Sequence, residues 1–215
     1  MNQNSTDLQG RPDLQIISQW IEPGSHILDL GCGDGTLLAY LQQHKQVTGY
    51  GLEIDPNNIA ECIRKNVNVI QIDLDQEGLS SFADHHFDYV VMTQSLQTMH
   101  VPDRLMDEML RIGQQAVISF PNMGHWKSRF QLGLRGQMPK TRALPHEWYN
   151  TPNIHLCTLH DFERLCQQHN AQVLTRAVLD NQHRSTLRTR LLPNFFGQIA
   201  LYRFQKNNTE AKTPC

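Results

Sequence analysis

Short apolar runs alternate with amphipathic stretches along the first 120 residues of the chain. The runs are five to seven residues long and are typical of buried strands, whereas apolar residues that recur every three or four positions indicate helices. The predicted helices are residues 14–21, 36–43 and 102–111, and the predicted strands are residues 26–30, 47–53, 68–72, 87–92 and 116–120. Such alternation predicts an α/β fold with a doubly wound, mostly parallel sheet of the Rossmann-like kind.

The pattern changes after Phe120. Residues 121–155 are rich in Gly, Pro, aromatic and basic residues and show no helical or strand period. Long segments without regular structure inside a compact domain usually have a function of their own. We therefore expect an insertion here that acts as a lid or as a docking segment.

Regular structure is predicted to resume at Thr158, which is a typical N-cap residue before an amphipathic helix. Asp55, which precedes a proline, is the other clear N-cap. Two β-rich runs, residues 172–178 and 198–204, predict a C-terminal antiparallel strand pair. The expected organisation is a single domain over residues 1–206, followed by a flexible tail over residues 207–215.

A glycine-rich loop, residues 29–35 (DLGCGDG), lies between the first predicted strand and the following helix. Glycine allows a sharp turn there and lets a ligand approach the main chain. Ligands of open α/β sheets bind outside the carboxyl ends of the strands, where this loop is predicted. The residues expected to hold a cofactor in the loop are Asp29, Gly31, Cys32, Gly33 and Gly35.

The ligand of this loop is indicated by what the loop lacks. Thr36 replaces the last glycine of the nicotinamide fingerprint, and the Gly-Lys-Ser/Thr sequence of a P-loop is absent. The loop carries two acids, Asp29 and Asp34, and no Lys or Arg lies between Pro12 and His44. Two carboxylates without a cation disfavour phosphate-bearing cofactors. They suit S-adenosylmethionine, which carries an ammonium and a sulfonium.

Further candidate residues lie at the ends of the next strands. Glu53, beside Ile54, comes about 20 residues after the glycines, where an acid accepts from both ribose hydroxyls. Asp73 closes the third strand and suits the adenine amino group, with the backbone amide of Leu74 next to it. Gln94, after the fourth strand, is a candidate for the methionine end of the cofactor or for an acceptor. Each of these side chains has a purely structural alternative, as a loop brace or a turn residue.

Composition narrows the class of protein. Hydrophobic residues make up 39% and charged residues 19% of the 215 positions, as in an ordinary globular protein. No apolar run approaches the roughly 20 residues that span a bilayer, and the polar first ten residues do not resemble an export signal. The five cysteines are scattered without a C-x-x-C pair, and the eleven histidines lack ligand spacing. We expect a cytoplasmic protein with no membrane association and no metal site.

Charge is distributed unevenly along the chain. Residues 1–120 carry 6 Lys and Arg against 16 Asp and Glu, a net charge of −10, and residues 121–215 carry 13 against 5, a net charge of +8. The segment 121–155 combines five cations with aromatic side chains, as binding surfaces do. It is expected to dock a protein or to close over an acceptor; nucleic acid is disfavoured by the acidic half and by a pI near 6.6. The candidate docking residues are Trp126, Arg129, Arg135, Arg142, Trp148 and Tyr149.

The glycine loop and the acids after it resemble the class I S-adenosylmethionine-dependent methyltransferases. Residues 29–35 match the first motif of that superfamily, Glu53 its ribose-binding acid and Asp73 its adenine-binding acid. The resemblance covers roughly residues 27–120, and the closing strand pair is similar as well. It implies S-adenosylmethionine, or S-adenosylhomocysteine, as the bound cofactor.

The remainder resembles one branch of that superfamily, the methionine biosynthesis protein MetW family. The resemblance is carried by four runs: residues 94–97 (QSLQ), 119–126 (SFPNMGHW), 134–139 (LRGQMP) and 144–157 (LPHEWYNTPNIHLC). It implies a partner and activator of homoserine O-acyltransferase in methionine synthesis. It does not imply methyl transfer by the chain itself.

Two functions therefore remain open from the sequence. One is a regulatory subunit with an S-adenosylmethionine pocket, and the other is a methyltransferase acting on a small-molecule acceptor. Methyl transfer from a sulfonium requires mainly that the reactants are positioned and desolvated, so no general base is required. The position after the fourth strand reads Thr93-Gln94-Ser95-Leu96 and lacks the Asn/Asp-Pro-Pro-Tyr/Phe run of amino methyltransferases. No catalytic residue is assigned.

Overall fold

A computed structural model describes residues 8, 10–180 and 186–207 of the chain. The described residues form a seven-stranded sheet from β1 His26–Leu30, β2 Thr48–Glu53, β3 Val69–Gln71, β4 Phe87–Thr93, β5 Gly113–Pro121, β6 Ala171–Leu179 and β7 Ile199–Lys206. The strand order is β3-β2-β1-β4-β5-β7-β6. β1 to β5 are parallel, and β7 runs antiparallel to both β5 and β6. The predicted doubly wound sheet with a C-terminal antiparallel pair is confirmed.

Helices lie on both faces of the sheet. Within the described residues they are α1 Pro12–Trp20, α2 Thr36–Lys45, α3 Pro56–Arg64, α4 Leu74–Glu77, α5 Pro102–Ile112, α6 Trp126–Arg135, α7 Leu159–Gln168, α8 Leu187–Leu191 and α9 Pro193–Phe196, with a 3₁₀ turn at Leu96–Thr98. α1, α2 and α3 contribute to one apolar cluster, and α5 and α7 contribute to the other. The central strands are apolar on both faces because each face is covered.

Two helix starts agree with the capping residues that the sequence predicts. The Asp55 side chain accepts from Asn57 N at the start of α3. Thr158 and Asp161 form a reciprocal capping box at the start of α7. Each cap satisfies backbone N–H groups that have no partner inside the helix, which fixes where the helix begins.

The prediction that residues 121–155 contain no regular structure is wrong, because α6 occupies ten of them. Among its residues only Ser128 is buried, and the large apolar side chains of α6 point outward. The helix therefore shows no buried apolar stripe that a periodicity search would find. It is defined by its ends instead: His125 Nδ1 accepts from Lys127 N, and Gly136 terminates the helix at a φ of +62°.

Three short helices, α4, α8 and α9, were also not predicted. Each has only four or five residues, too few for a period to be read. In the predicted tail, Asn207 N donates to Asn170 O at 2.7 Å, which continues the end of the sheet. The rest of that predicted tail, residues 208–215, lies outside the described residues.

Candidate functional site

A pocket of about 1040 Å³ opens at the carboxyl ends of the parallel strands. It lies where the strand order reverses between β1 and β4, the position at which open α/β sheets bind ligands. The structure brings together nine of the ten predicted cofactor residues in its wall: Asp29, Gly31, Cys32, Gly33, Glu53, Ile54, Asp73, Leu74 and Gln94. The tenth, Gly35, does not line the pocket.

The glycine loop turns because three of its residues adopt left-handed backbone conformations. The φ angles of Gly31, Gly33 and Gly35 are +66°, +56° and +72°, a region that L side chains rarely adopt. At Gly33 an added Cβ would meet nothing within 4 Å, whereas at Gly35 it would lie 2.9 Å from Cys62 Sγ. Gly33 is thus open toward the pocket, and Gly35 is needed for packing beneath the loop.

Glu53 ties the loop to the end of β2. Glu53 is 8% exposed; its Oε2 accepts from Gly33 N at 2.8 Å, and its Oε1 accepts from the backbone N of Ile54 and of Asp55. A carboxylate has about four acceptor positions, so these three bonds leave capacity for a ligand hydroxyl. Glu53 therefore braces the loop and keeps unused acceptor capacity in the pocket wall.

Asp29 is one of three buried acids in the pocket wall, with Asp13 and Glu53. It is 1% exposed, and its Oδ1 has no hydrogen-bond partner among the described residues. Burial, together with the charge of Glu53, raises the pKa of Asp29 to about 7, against an opposing effect of Arg11. Buried acceptors are normally satisfied, so a free one in a pocket wall fits a ligand that brings a donor. The ammonium of an amino acid is such a donor.

The second acid of the loop is not free of cations, contrary to the sequence argument. Lys65 Nζ lies 2.6 Å from Asp34 Oδ2 and 2.8 Å from Thr36 Oγ1. Burial would raise the pKa of Asp34, but the bonds from Lys65 and Thr36 outweigh it and lower that pKa. Asp34 is thus an ionised loop brace, and the discrimination by charge rests on Asp29. Lys65 was missed because it is 31 residues away in the chain.

The sequence left Asp73 either as a pocket residue or as a turn residue, and in the structure it is both. It follows β3 and lines the pocket next to Leu74 and Ile72. It also caps α4: Oδ1 accepts from Asp75 N at 3.0 Å and Oδ2 accepts from Gln76 Nε2 at 2.8 Å. The cap holds the carboxylate at the rim of the pocket in a fixed direction.

Gln94 is joined to the start of α1 by a contact that sequence reasoning missed. Its Nε2 donates to Asp13 Oδ2 at 2.9 Å, and Asp13 also accepts two bonds from the Arg11 guanidinium. Burial would raise the pKa of Asp13, but the bonds from Arg11 and Gln94 keep it lowered. Arg11 and Asp13 both line the pocket. An acid after a proline is typical of any helix start, so the local sequence around Asp13 does not predict its contact with Gln94.

The predicted docking residues separate into three places. Trp126, Arg129 and Arg135 are exposed on α6. Trp148 and Tyr149 are 71% and 70% exposed, with their rings edge to face at 5.7 Å. The last of the set, Arg142, lines the cofactor pocket together with Ala143 and Pro145. The segment 121–155 therefore contributes both to the outer surface and to the pocket wall.

Some general properties of the described residues bear on the site. None of their helices is long and apolar enough to cross a membrane. They contain no group of three or more His, Cys, Asp or Glu side chains that is arranged to hold a metal ion. Cys32 and Cys62 are free thiols with Sγ atoms 3.8 Å apart, and burial, with the charge of Asp29 next, raises the pKa of the Cys32 thiol. A thiol of this kind is a packing element and a poor nucleophile.

Solved structures share this fold. A S-adenosylmethionine-dependent methyltransferase from Mesorhizobium loti superimposes with a TM-score of 0.68 at 15% identity, covering 93% of this chain and all of that one. The [4+2]-cyclase SpnF superimposes with a TM-score of 0.64 at 14% identity, covering 96% of this chain and 85% of that one. At these identities the likeness establishes the Rossmann-like methyltransferase fold and no particular reaction.

Sequence comparison is more specific. The chain is 31% identical over 212 residues to the bifunctional methionine biosynthesis protein MetXA/MetW of Rhodopirellula baltica, which covers 94% of this chain and 34% of that protein. The chain thus spans about a third of the length of this relative. The family model described as methionine biosynthesis protein MetW matches residues 11–204. With that match over most of its length, the chain belongs to the MetW family of methionine biosynthesis proteins.

Proposed function

We propose that this protein binds S-adenosylmethionine and acts as a partner and activator of homoserine O-acyltransferase. The observation that carries the proposal is the Rhodopirellula baltica relative, in which a region similar to 94% of this chain shares one polypeptide with a MetXA part. We take that part to be the homoserine O-acyltransferase implied by the family resemblance. A single chain keeps two components at high effective concentration, which separate chains achieve only by binding each other.

The pocket residues fit the cofactor group by group. Glu53 has acceptor capacity for ribose hydroxyls, and Asp73 with Leu74 lies at the rim where adenine is expected. The unpartnered Asp29 Oδ1 suits the ammonium, and the Arg11 guanidinium in the same wall suits the carboxylate of the amino-acid end. When bound, the cofactor supplies an electrophilic methyl group on a sulfonium. S-adenosylhomocysteine would make the same contacts apart from that group.

Segment 121–155 offers a route from the pocket to a partner. Arg142 and Pro145 line the pocket, and Trp148 and Tyr149 follow within a few residues on the outer surface. Cofactor binding that favours one position of this segment would change the docking surface and hence the partner's activity. The cofactor is made from the product of methionine synthesis, so the arrangement suits control of flux. We expect this control to operate in the cytoplasm and without nucleic acid.

The partner role is tested by the initial rate of the same organism's homoserine O-acyltransferase, with and without equimolar protein. A several-fold rise together with co-elution supports the proposal. Arg129→Glu with Arg135→Glu should abolish co-elution and leave cofactor affinity intact, because both residues lie on α6 and not in the pocket wall. An unchanged rate with no co-elution contradicts the proposal.

Cofactor binding is tested by calorimetry on a matched pair of glycine variants. Gly33→Ala and Gly24→Ala impose similar backbone strain, since φ is +56° and +77° and neither Cβ meets an atom within 4 Å. Gly33 lines the pocket, so only Gly33→Ala should weaken cofactor binding, by roughly ten-fold or about 1.4 kcal/mol. Equal losses in both variants would mean that the loop does not contact the cofactor.

A second candidate is methyl transfer to a small acceptor. The pocket volume of about 1040 Å³ lies at the upper end of the range for drug-sized ligands, which leaves space beyond a cofactor. This candidate predicts conversion to S-adenosylhomocysteine with a metabolite fraction, and loss of that turnover in Asp29→Ala or Glu53→Ala. Cofactor binding without turnover in any fraction would exclude it.

A further inference from the structure

We infer that α6, α8 and α9 together form the surface on which this protein docks its acyltransferase partner, an inference that rests on the proposed function. Their outward apolar side chains are the three-helix face: Phe130, Leu134, Leu187, Leu191, Leu192 and Phe195. Leu134 is 73% exposed, and Leu187 and Leu191 are each 72% exposed. Single exposed leucines are common, but six large apolar residues on adjoining helices mark an interaction site.

α6 and α8 each adjoin α9. α8 passes directly into α9 through Leu192, which is the C-cap of one and the N-cap of the other. α6 meets α9 where the Arg129 guanidinium lies 5.7 Å from the centre of the Phe195 ring. α6 and α8 therefore both adjoin α9, although they come from two parts of the chain.

A buried polar junction holds α6 and α9 in place. Asn122, 3% exposed, donates from Nδ2 to the carbonyls of Asn194 and Gly197 and accepts at Oδ1 from Gly124 N. Asn194 Oδ1 in turn accepts from Leu159 N at the start of α7. The start of α6 and the whole of α9 are thus anchored to the end of β5, and a preorganised surface loses little entropy on binding.

Charge around the face indicates its partner. The sequences of α6, α8 and α9 contain five cations and no acid; the cations are Lys127, Arg129, Arg135, Arg188 and Arg190. An apolar centre with a basic rim fits a protein surface with an apolar patch and a rim of carboxylates. A second copy of this chain docked face to face would instead bring like charges together. The occupant we assign is the acyltransferase, through such an acidic-rimmed patch.

The test uses the double variant Leu187→Ser with Leu191→Ser. Ile63→Ser is the matched control, because Ile63 is 63% exposed on α3, outside the face. We expect the double variant to bind the acyltransferase at least roughly ten-fold more weakly, in the range of interface hot spots. Ile63→Ser should bind normally, and cofactor affinity should be unchanged in both. Arg188→Glu, compared with Arg104→Glu on α5, tests the rim independently.

The outcomes separate this inference from the proposed function. If wild type binds the acyltransferase and all four variants bind it equally well, the three-helix face is not the docking surface, while the partner role stands. If the wild-type protein does not bind the acyltransferase, both the proposed partner role and the docking surface assigned to that partner are wrong. If the double variant changes the sedimentation mass of the protein alone from dimer to monomer, the face is covered by a second copy, which also overturns the inference.

Discussion

Gln94 Nε2 donates to Asp13 Oδ2 at 2.9 Å, which joins the loop after β4 to the first turn of α1 across the mouth of the pocket. Gln94 adopts a φ of +57°, a left-handed conformation that costs a residue with a side chain about 1–2 kcal/mol. Its backbone N also donates to Ser119 O at 2.8 Å. These two hydrogen bonds hold Gln94 in its strained conformation. Backbone strain of this kind is typical of ligand-binding sites.

Asp13→Ala should loosen this wall. The buried Asp13 carboxylate accepts bonds from the exposed donors Arg11 and Gln94, so its loss removes charge-assisted hydrogen bonds from this wall. We expect the free energy of unfolding to fall by about 1–3 kcal/mol and cofactor binding to weaken. Urea unfolding and calorimetry measure the two effects.

Asp103→Ala is the control for that change. Asp103 follows Pro102 at the start of α5 as Asp13 follows Pro12, but it is exposed. The pKa of Asp13 is lowered in the folded protein, so its stabilising contribution is present above about pH 3.9 and is lost as the pH falls further. Equal destabilisation by both variants at neutral pH would show that the contact to Gln94 is unimportant.

Cofactor affinity should depend on pH through Asp29. Its pKa is raised to about 7 by burial and by Glu53, with Arg11 acting in the opposite direction. The ammonium of the cofactor prefers the ionised carboxylate, so affinity should rise as the pH increases through 7, by at most about ten-fold per unit. Calorimetry at pH 6 and pH 8 measures the change.

Asp29→Asn provides the control for the pH dependence. It removes the titrating group, so its cofactor affinity should be low and nearly independent of pH. The raised pKa affects the stability of the apo protein in the opposite direction. The contribution of Asp29 to the free energy of unfolding is fully present below the unfolded pKa of about 3.9, and it is lost as the pH rises toward 7. A wild-type affinity that is flat from pH 6 to pH 8 would contradict the contact.

Gly35→Ala should damage the fold more than the pocket. The added Cβ would lie 2.9 Å from Cys62 Sγ and 3.3 Å from Val67 Cγ2, at a φ of +72°. Overpacking and backbone strain together should cost about 2–4 kcal/mol. Gly136→Ala is the control, since φ is +62° but the Cβ meets nothing within 4 Å. Similar melting temperatures for the two variants would show that space beneath the loop is not limiting.

The parts of the site that the sequence predicts are those that follow from strand order. In a parallel sheet, the residues after successive strands share one edge, so Asp29, Glu53 and Asp73 could be grouped from their positions alone. Lys65 could not be grouped with Asp34 in this way, nor Gln94 with Asp13, because these pairs are 31 and 81 residues apart in the chain and are brought together only by tertiary packing. Counting the cations that are near the loop along the chain therefore misses Lys65, which is near the loop only in space.

The same distinction applies to the fold. Core helices such as α5 show their period because one face is buried, and they were predicted. α6 and α8 turn their large apolar residues outward, so the pattern that marks a core helix is missing. A large apolar side chain that a helix exposes is the kind of feature that a partner surface explains.

Asn122→Ala should loosen the junction that anchors α9 to the sheet. The variant leaves the carbonyls of Asn194 and Gly197 and the N–H of Gly124 without their partners, in a region where Asn122 is 3% exposed. A loss of about 3 kcal/mol is expected, or a melting temperature lower by about 6–12 °C for a chain of this size. Amide exchange should accelerate in α9 more than in α5. The exposed Asn150, which accepts from Glu147 N, provides the control in Asn150→Ala. If exchange accelerates equally in α5 and α9, Asn122 supports the whole domain and does not specifically position the three-helix face.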